Sequence, residues 1–134
     1  MSQYFKQYLK KNNFKQYLKY LQHKLKNKTV IIYGTGILFQ YIVENYDLSK
    51  LNIIGVSDMK YSENFEGKEE FGYKIIPKDK MIQYNPDCVL IALENYFTII
   101  ENMQNKIFQN TDTILLPFIR KSIWDLINFV WVEK

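Results

Sequence analysis

Four short apolar runs constrain this chain more than any other feature of its sequence. They are Thr29-Val30-Ile31-Ile32-Tyr33, Leu51-Asn52-Ile53-Ile54-Gly55-Val56, Cys88-Val89-Leu90-Ile91-Ala92-Leu93 and Thr113-Ile114-Leu115-Leu116. Each is rich in β-branched residues and bounded by turn formers. Mostly continuous apolar runs, rather than strict alternation with polar residues, mark strands covered on both faces. Between them lie segments with helical spacing, 37–46 with Leu38, Tyr41, Ile42 and Val43 turned inward, and 96–108. Strands alternating with helices predict a mainly parallel sheet joined by right-handed crossovers. The expected fold is therefore α/β, a Rossmann-like three-layer sandwich. The stretch 59–74 reads as a polar loop with turns at Gly67 and Gly72, and Lys74-Ile75-Ile76 as a short strand. Pro77 can open a brief helix over 78–84. Residues 119–129 read as a last helix, and Val130-Trp131-Val132 as a strand that could finish the chain instead.

Ahead of the first strand lies an amphipathic helical arm, so the expected organisation is an arm, 1–28, and a Rossmann-like domain, 29–134. Phe14, Tyr17, Leu18, Leu21 and Leu25 form one apolar stripe at helical spacing. The six residues Phe5-Lys6-Gln7-Tyr8-Leu9-Lys10 recur nine residues later as Phe14-Lys15-Gln16-Tyr17-Leu18-Lys19. Nine residues are about two and a half helical turns, so one continuous helix would turn the two copies to opposite sides. Either the helix breaks near Asn12-Asn13, or the first copy packs on something else, such as a second subunit.

The net charge of +4 conceals an asymmetry. Residues 1–28 hold eight lysines and no acid, whereas the remainder holds ten basic and fourteen acidic residues. Such an arm can signal a polyanionic partner. It also fits a solvated helix face, or an arm lying on its own acidic body. Arginine forks are absent from it, and interleaved aromatics on a helix are usually core, so nucleic acid is the weaker expectation.

A single cysteine, Cys88, excludes a disulfide scaffold and a cysteine-rich zinc site. No run has the length to span a bilayer, and the lysine-rich start lacks the apolar core of a secretion signal. A cytoplasmic location is expected. At 134 residues the sequence is expected to form one domain, so chemistry that needs a second domain would take it from another chain or segment.

Tyr33-Gly34-Thr35-Gly36-Ile37-Leu38-Phe39 closes the first strand and opens the first helix, the setting of a dinucleotide-binding turn. Gly34 permits the tight turn and Gly36 lets a pyrophosphate approach the backbone. The N–H groups of the next turn, at Ile37 and Leu38, face the anion with the helix dipole behind them. Phe39 stands where a third glycine usually packs helix on strand, which predicts a wider gap or a rotated helix. Asp58 follows the second strand, after Ser57 and 22 residues past Gly36, and suits the hydroxyls of a ribose. By the rule that ligands sit outside the carboxyl ends of the strands, Gly34–Leu38, Ser57–Met59, Leu93–Asn95 and Pro117-Phe118 form the rim. Leu93 and Pro117 would wall a base or sugar. Glu94 is either a ligand contact or part of the cap of the next helix.

At these residues, together with Phe71-Gly72-Tyr73-Lys74-Ile75-Ile76-Pro77 and Pro86-Asp87-Cys88-Val89-Leu90-Ile91-Ala92, a resemblance emerges. The chain resembles the Rossmann-like N-terminal domain of bacterial surface-glycan biosynthesis proteins. Such domains precede nucleoside-diphosphate-sugar epimerases and dehydratases, sugar acyltransferases and capsule-cluster methyltransferases. The resemblance spans about residues 29–118. It implies a bound nucleotide, NAD(P) or a nucleotide-sugar, and a service role beside a catalytic domain or subunit. In those families the second strand often ends in two acids; here Asp58 is followed by Met59.

No reacting group accompanies this turn. The two Tyr-x-x-x-Lys spacings, Tyr20/Lys24 and Tyr46/Lys50, fall at the wrong places for a short-chain dehydrogenase pair. His23, the lone histidine, sits in the arm. Cys88 begins a buried strand and reads as a small hydrophobe. No Gly-Lys-Ser/Thr ending makes Gly34-Thr35-Gly36 a P-loop, and no cluster has metal-ligand spacing. The expected function is thus a nucleotide-binding accessory domain. The alternative is a docking or oligomerisation module, a homodimer for instance, with an empty site. The repeat, the tyrosine-rich arm, Trp124 and Trp131 motivate it.

Overall fold

A computed structural model describes residues 2–121 of the chain. Two helices come first, α1 (Ser2–Lys11) and α2 (Phe14–Lys24). Then follow β1 (Thr29–Tyr33), α3 (Ile37–Asn45) and β2 (Asn52–Ser57). A short 3-10 turn at Glu63–Phe65 leads to a hairpin, β3 (Glu69–Glu70) and β4 (Tyr73–Lys74). A second 3-10 segment, Lys78–Tyr84, precedes β5 (Cys88–Ile91), α4 (Tyr96–Lys106) and β6 (Ile114–Pro117). The helix expected from 119 is not helical at residues 119–121. Its remainder, the strand Val130–Val132 and both tryptophans lie outside the described residues.

The four main strands form one parallel sheet in the order β2-β1-β5-β6. The step from β1 to β2 and the step from β2 to β5 run in opposite directions along the sheet. Crossovers of one hand must therefore pass on opposite faces. They do. Leu38, Phe39 and Ile42 of α3 join Val30 and Ile32 on one face, while Met81 of the second 3-10 segment joins Ile31, Tyr33, Val89 and Ile91 on the other. Tyr96 and Met103 of α4 extend that second face. The expected α/β layering is present, with a parallel sheet between helical layers.

This arrangement leaves the α3 face of β5 and β6 without a crossover helix. The arm covers it. Phe5 and Leu9 of α1, Phe14, Tyr17, Leu18 and Leu21 of α2, and Leu25 after it share one core with Leu90, Ala92 and Phe118. The Tyr17 hydroxyl donates to the Pro117 carbonyl at 2.7 Å. The repeat is reconciled by the first alternative: the helix breaks, with Asn13 in the left-handed region at φ 54°. Asparagine tolerates that conformation. The break reorients the first copy, so Phe5 and Phe14, and Leu9 and Leu18, are all buried.

The loop 59–74 is more ordered than its polar composition suggests. Phe71 and Gly72 both have positive φ, 56° and 81°, which closes a two-residue hairpin between β3 and β4. The short strand expected at 74–76 is shifted: Tyr73–Lys74 pairs with Glu69–Glu70, and only Ile75 bridges to Val56 of β2. Gly55 makes room for this edge, since a Cβ there would lie 2.4 Å from Ile76 Cδ1. Phe39, at the position of the absent third glycine, is fully buried and meets Phe71 edge-on at 5.7 Å between ring centroids. The phenyl ring thus fills the space between α3, the sheet and the hairpin.

Candidate functional site

The strand order reverses between β1 and β5, so their carboxyl ends form the crevice at which open α/β sheets bind ligands. The rim is closely knit there. Gly34 N–H donates to the Ser57 carbonyl at 2.9 Å, and Ala92 N–H donates to the Tyr33 carbonyl at 2.8 Å. Gly34 has φ +109°, and a Cβ on it would lie 2.9 Å from Leu93 Cγ and 3.0 Å from the Ala92 carbonyl oxygen. Both the turn and the approach of β5 demand glycine. Leu93 consequently sits directly on the glycine turn.

Thr35 is buried and faces inward. Its N–H donates to Asp58 Oδ2 at 2.7 Å, and its hydroxyl lies 3.1 Å from the same oxygen and 3.0 Å from the Tyr61 hydroxyl. Tyr61 donates to Glu70 of the hairpin, and Glu70 lies 3.8 Å from Lys60. Since Tyr61 gives its proton to Glu70, the single Thr35 proton is divided between Asp58 and Tyr61. Burial, followed by the Glu70 contact, holds the Tyr61 phenol well above its ordinary range. Asp58 Oδ1 accepts from Lys60 N–H at 3.2 Å. Asp58, the acid expected to hold a ribose, therefore braces the glycine turn through two hydrogen bonds from Thr35, and with Lys60 N–H three of roughly four acceptor positions of the carboxylate are taken.

Gly36 is the open point. It caps α3 in extended conformation, φ −79°, and no atom lies within 4 Å of where its Cβ would stand. The first N–H groups of α3, at Ile37, Leu38 and Phe39, have no partner within the helix. No side chain caps them, and the first turn carries no acid. Ile37 is 54% exposed and Leu38 buried. Met59, expected on the rim, is exposed just after β2, and beyond the expected residues the exposed side chain of Phe97 stands at the start of α4. Phe97 carried no signal in the sequence.

Ser57 is fully buried, and its hydroxyl has no hydrogen-bond partner among the described residues. Glu94 accepts from the Tyr4 hydroxyl of α1 at 3.2 and 3.3 Å and does not cap α4. Pro117 lies in β6, half-buried, its carbonyl occupied by Tyr17. The structure thus gathers Gly34–Leu38, Ser57, Asp58 and Leu93 around the ends of β1, β2 and β5. Pro117, at the end of β6, stands two strands from β1. Cys88 is buried, its thiol pushed up to about 12 chiefly by burial. Among the described residues no three of His, Cys, Asp and Glu converge as a metal site, and no helix is long and apolar enough to cross a membrane.

With that geometry in place, the family can be stated. Residues 26–115 match the family model described as C2185-like, N-terminal. The chain belongs to the C2185-like N-terminal domain family. The matched segment of this C2185-like domain runs from the end of the arm into β6, and it holds the glycine turn, Asp58 and Leu93. Tyr4, Tyr17 and Pro117 lie outside it. No curated protein and no solved structure matches the chain significantly.

Proposed function

We propose that this C2185-like domain binds a nucleotide, NAD(P) or a nucleotide-sugar, at the carboxyl ends of β1 and β5, and that it serves a catalytic domain or subunit in surface-polysaccharide assembly. One observation carries the reading. An uncapped helix follows the glycine turn at the switch point of a parallel sheet, with open space over Gly36. Its N–H groups and dipole suit a pyrophosphate. The bracing of Thr35 by Asp58 keeps that turn in shape before ligand arrives, which lowers the ordering cost of binding. The biosynthetic setting rests on the resemblance alone.

The test is thermal unfolding with NAD, NADP, UDP and UDP-sugars, comparing the wild type with Gly36→Val. A Cβ at this position meets nothing within 4 Å, so a side chain has room to begin there, and the branched valine would block the approach of a phosphate. Ligand at 100 times its dissociation constant adds about 2.7 kcal/mol, a shift of several degrees. A shift that Gly36→Val abolishes supports the site. No shift with any ligand overturns it.

A second reading is a docking module with an empty site. It is favoured by Asp58, already engaged by Thr35 and Lys60. The arm argues the other way, because its apolar stripe is spent on the chain's own sheet. Absence of ligand binding together with a dimer that persists at low micromolar concentration would establish this reading.

A further inference from the structure

The elbow between α1 and α2 encloses a cleft of about 310 Å³. Its walls are mostly apolar, from Leu9, Phe14 and Tyr46, while Lys6, Lys10 and Lys15 stand around it and Asn13 and Gln16 add amides. Lys6 and Lys10 are one helical turn apart on α1, so their stems lie on one face. Lys15 belongs to the first turn of α2, across the break at Asn13. All three are exposed, and among the described residues no carboxylate lies within 4 Å of any of them. The acidic body thus does not neutralise this part of the arm.

Three unopposed ammonium groups around one concavity repel each other and are relieved by an anion. Lysines act as compact point charges, without the planar fork by which arginine grips a carboxylate. That favours a dense, multiply charged group. The volume lies at the lower end of small-molecule sites. The first-turn N–H groups of α2 lack a side-chain cap and add a favourable dipole, but the lysines and the cleft define the site. Tyr46 follows the last residue of α3, whereas Gly36 precedes the first, so a helix of about 14 Å separates the elbow from the rim.

We propose that the α1–α2 elbow is a second binding site, for a small molecule bearing a diphosphate. It is independent of any nucleotide at the glycine turn.

The experiment is an amide-resolved NMR titration of the full chain with inorganic pyrophosphate and, separately, with UDP, at low ionic strength. Saturable shifts are expected at Lys6, Lys10 and Asn13–Gln16. The triple variant Lys6→Gln, Lys10→Gln, Lys15→Gln should bind pyrophosphate at least about tenfold more weakly. A charge-matched control, Lys24→Gln, Lys26→Gln, Lys28→Gln, should change it by less than about twofold. Gly36→Val should leave the elbow shifts intact. Tighter binding of UDP than of pyrophosphate at the same amides would identify a nucleotide as the source of the diphosphate; equal binding would identify the free anion. Three results overturn the proposal: no saturable shifts in the millimolar range, equal weakening in both triple variants, or shifts confined to Ile37–Phe39 and lost in Gly36→Val.

Discussion

Thr35 N–H and the Thr35 hydroxyl converge on one oxygen of Asp58, at 2.7 and 3.1 Å. The end of β2 thereby fastens the turn that follows β1, and a buried polar backbone group is satisfied by a side chain. Asp58→Ala removes the acceptor and strands that N–H, because Thr35 is only 2% exposed. The expected cost is about 1–3 kcal/mol in denaturant unfolding, with no ligand present. Asp58→Asn keeps an acceptor oxygen and should cost less. If both variants unfold like the wild type, the clamp does not stabilise the turn.

The two glycines of the turn should respond unequally to alanine. Gly34→Ala puts a Cβ 2.9 Å from Leu93 Cγ and 3.0 Å from a carbonyl, at φ +109°. Backbone strain alone is of order 1–3 kcal/mol. Gly36→Ala meets empty space at an ordinary φ, and its effect should stay within about 1 kcal/mol. A melting comparison of the two variants reads this directly. Equal destabilisation would show that Leu93 does not rest on Gly34.

Ser57→Ala is expected to be neutral or stabilising. The hydroxyl is fully buried and unpartnered among the described residues, and an unsatisfied buried polar group costs about 1–3 kcal/mol. A loss of stability in Ser57→Ala, measured by chemical denaturation, would mean that the hydroxyl has a partner in solution, such as an ordered water.

The arm should behave as core. Leu21 is fully buried between α2 and the sheet, so Leu21→Ala should cost about 2–5 kcal/mol. Tyr17→Phe removes only the bond to the Pro117 carbonyl, about 0.5–1.5 kcal/mol. A chain lacking residues 1–28 would expose Leu90, Ala92 and Phe118. It should fail to give a cooperative melt. A cooperative melt near that of the full chain would show that the arm is an appendage.

How much of this was legible depended on whether the signal was local. The apolar runs announced the central strands β1 and β5, which are buried nearly throughout, and also the edge strands β2 and β6, whose runs are as apolar although they are only partly covered. The nine-residue repeat narrowed the arm to a break near Asn12-Asn13 or a separate partner for the first copy, because helical phase is fixed by the chain itself, and the structure takes the break. An amphipathic stripe says only that a face is covered, never by what, so the seat of the arm on β5 and β6 was hidden. The β3–β4 hairpin was hidden too. Its strands are two residues long and its turn places Phe71, a poor candidate for positive φ, beside Gly72. Asp58 was legible as an acid at the end of β2. Its partner Thr35 was not, since the sequence does not show that the middle residue of Gly34-Thr35-Gly36 turns inward.

Alkali should destabilise the protein over two successive pH ranges. Cys88 ordinarily titrates near 9.0, and burial pushes it up to about 12 in the fold. The unfolded chain therefore releases this proton first. Stability from the group is complete below pH 9 and is lost as pH rises from 9 towards 12, at about 1.4 kcal/mol per pH unit. Above pH 10.0 the buried tyrosines join in the same direction. Tyr17 and Tyr61 are held up first by burial, with Arg120 opposing the shift at Tyr17 and Glu70 adding to it at Tyr61. The slope of unfolding free energy against pH should steepen there. Cys88→Ala removes the first stage and leaves the second, a pattern that denaturant titrations between pH 8 and pH 11 would resolve. A wild-type curve flat from pH 9 to pH 10 would mean that the thiol is accessible and the amino end of β5 is open to water.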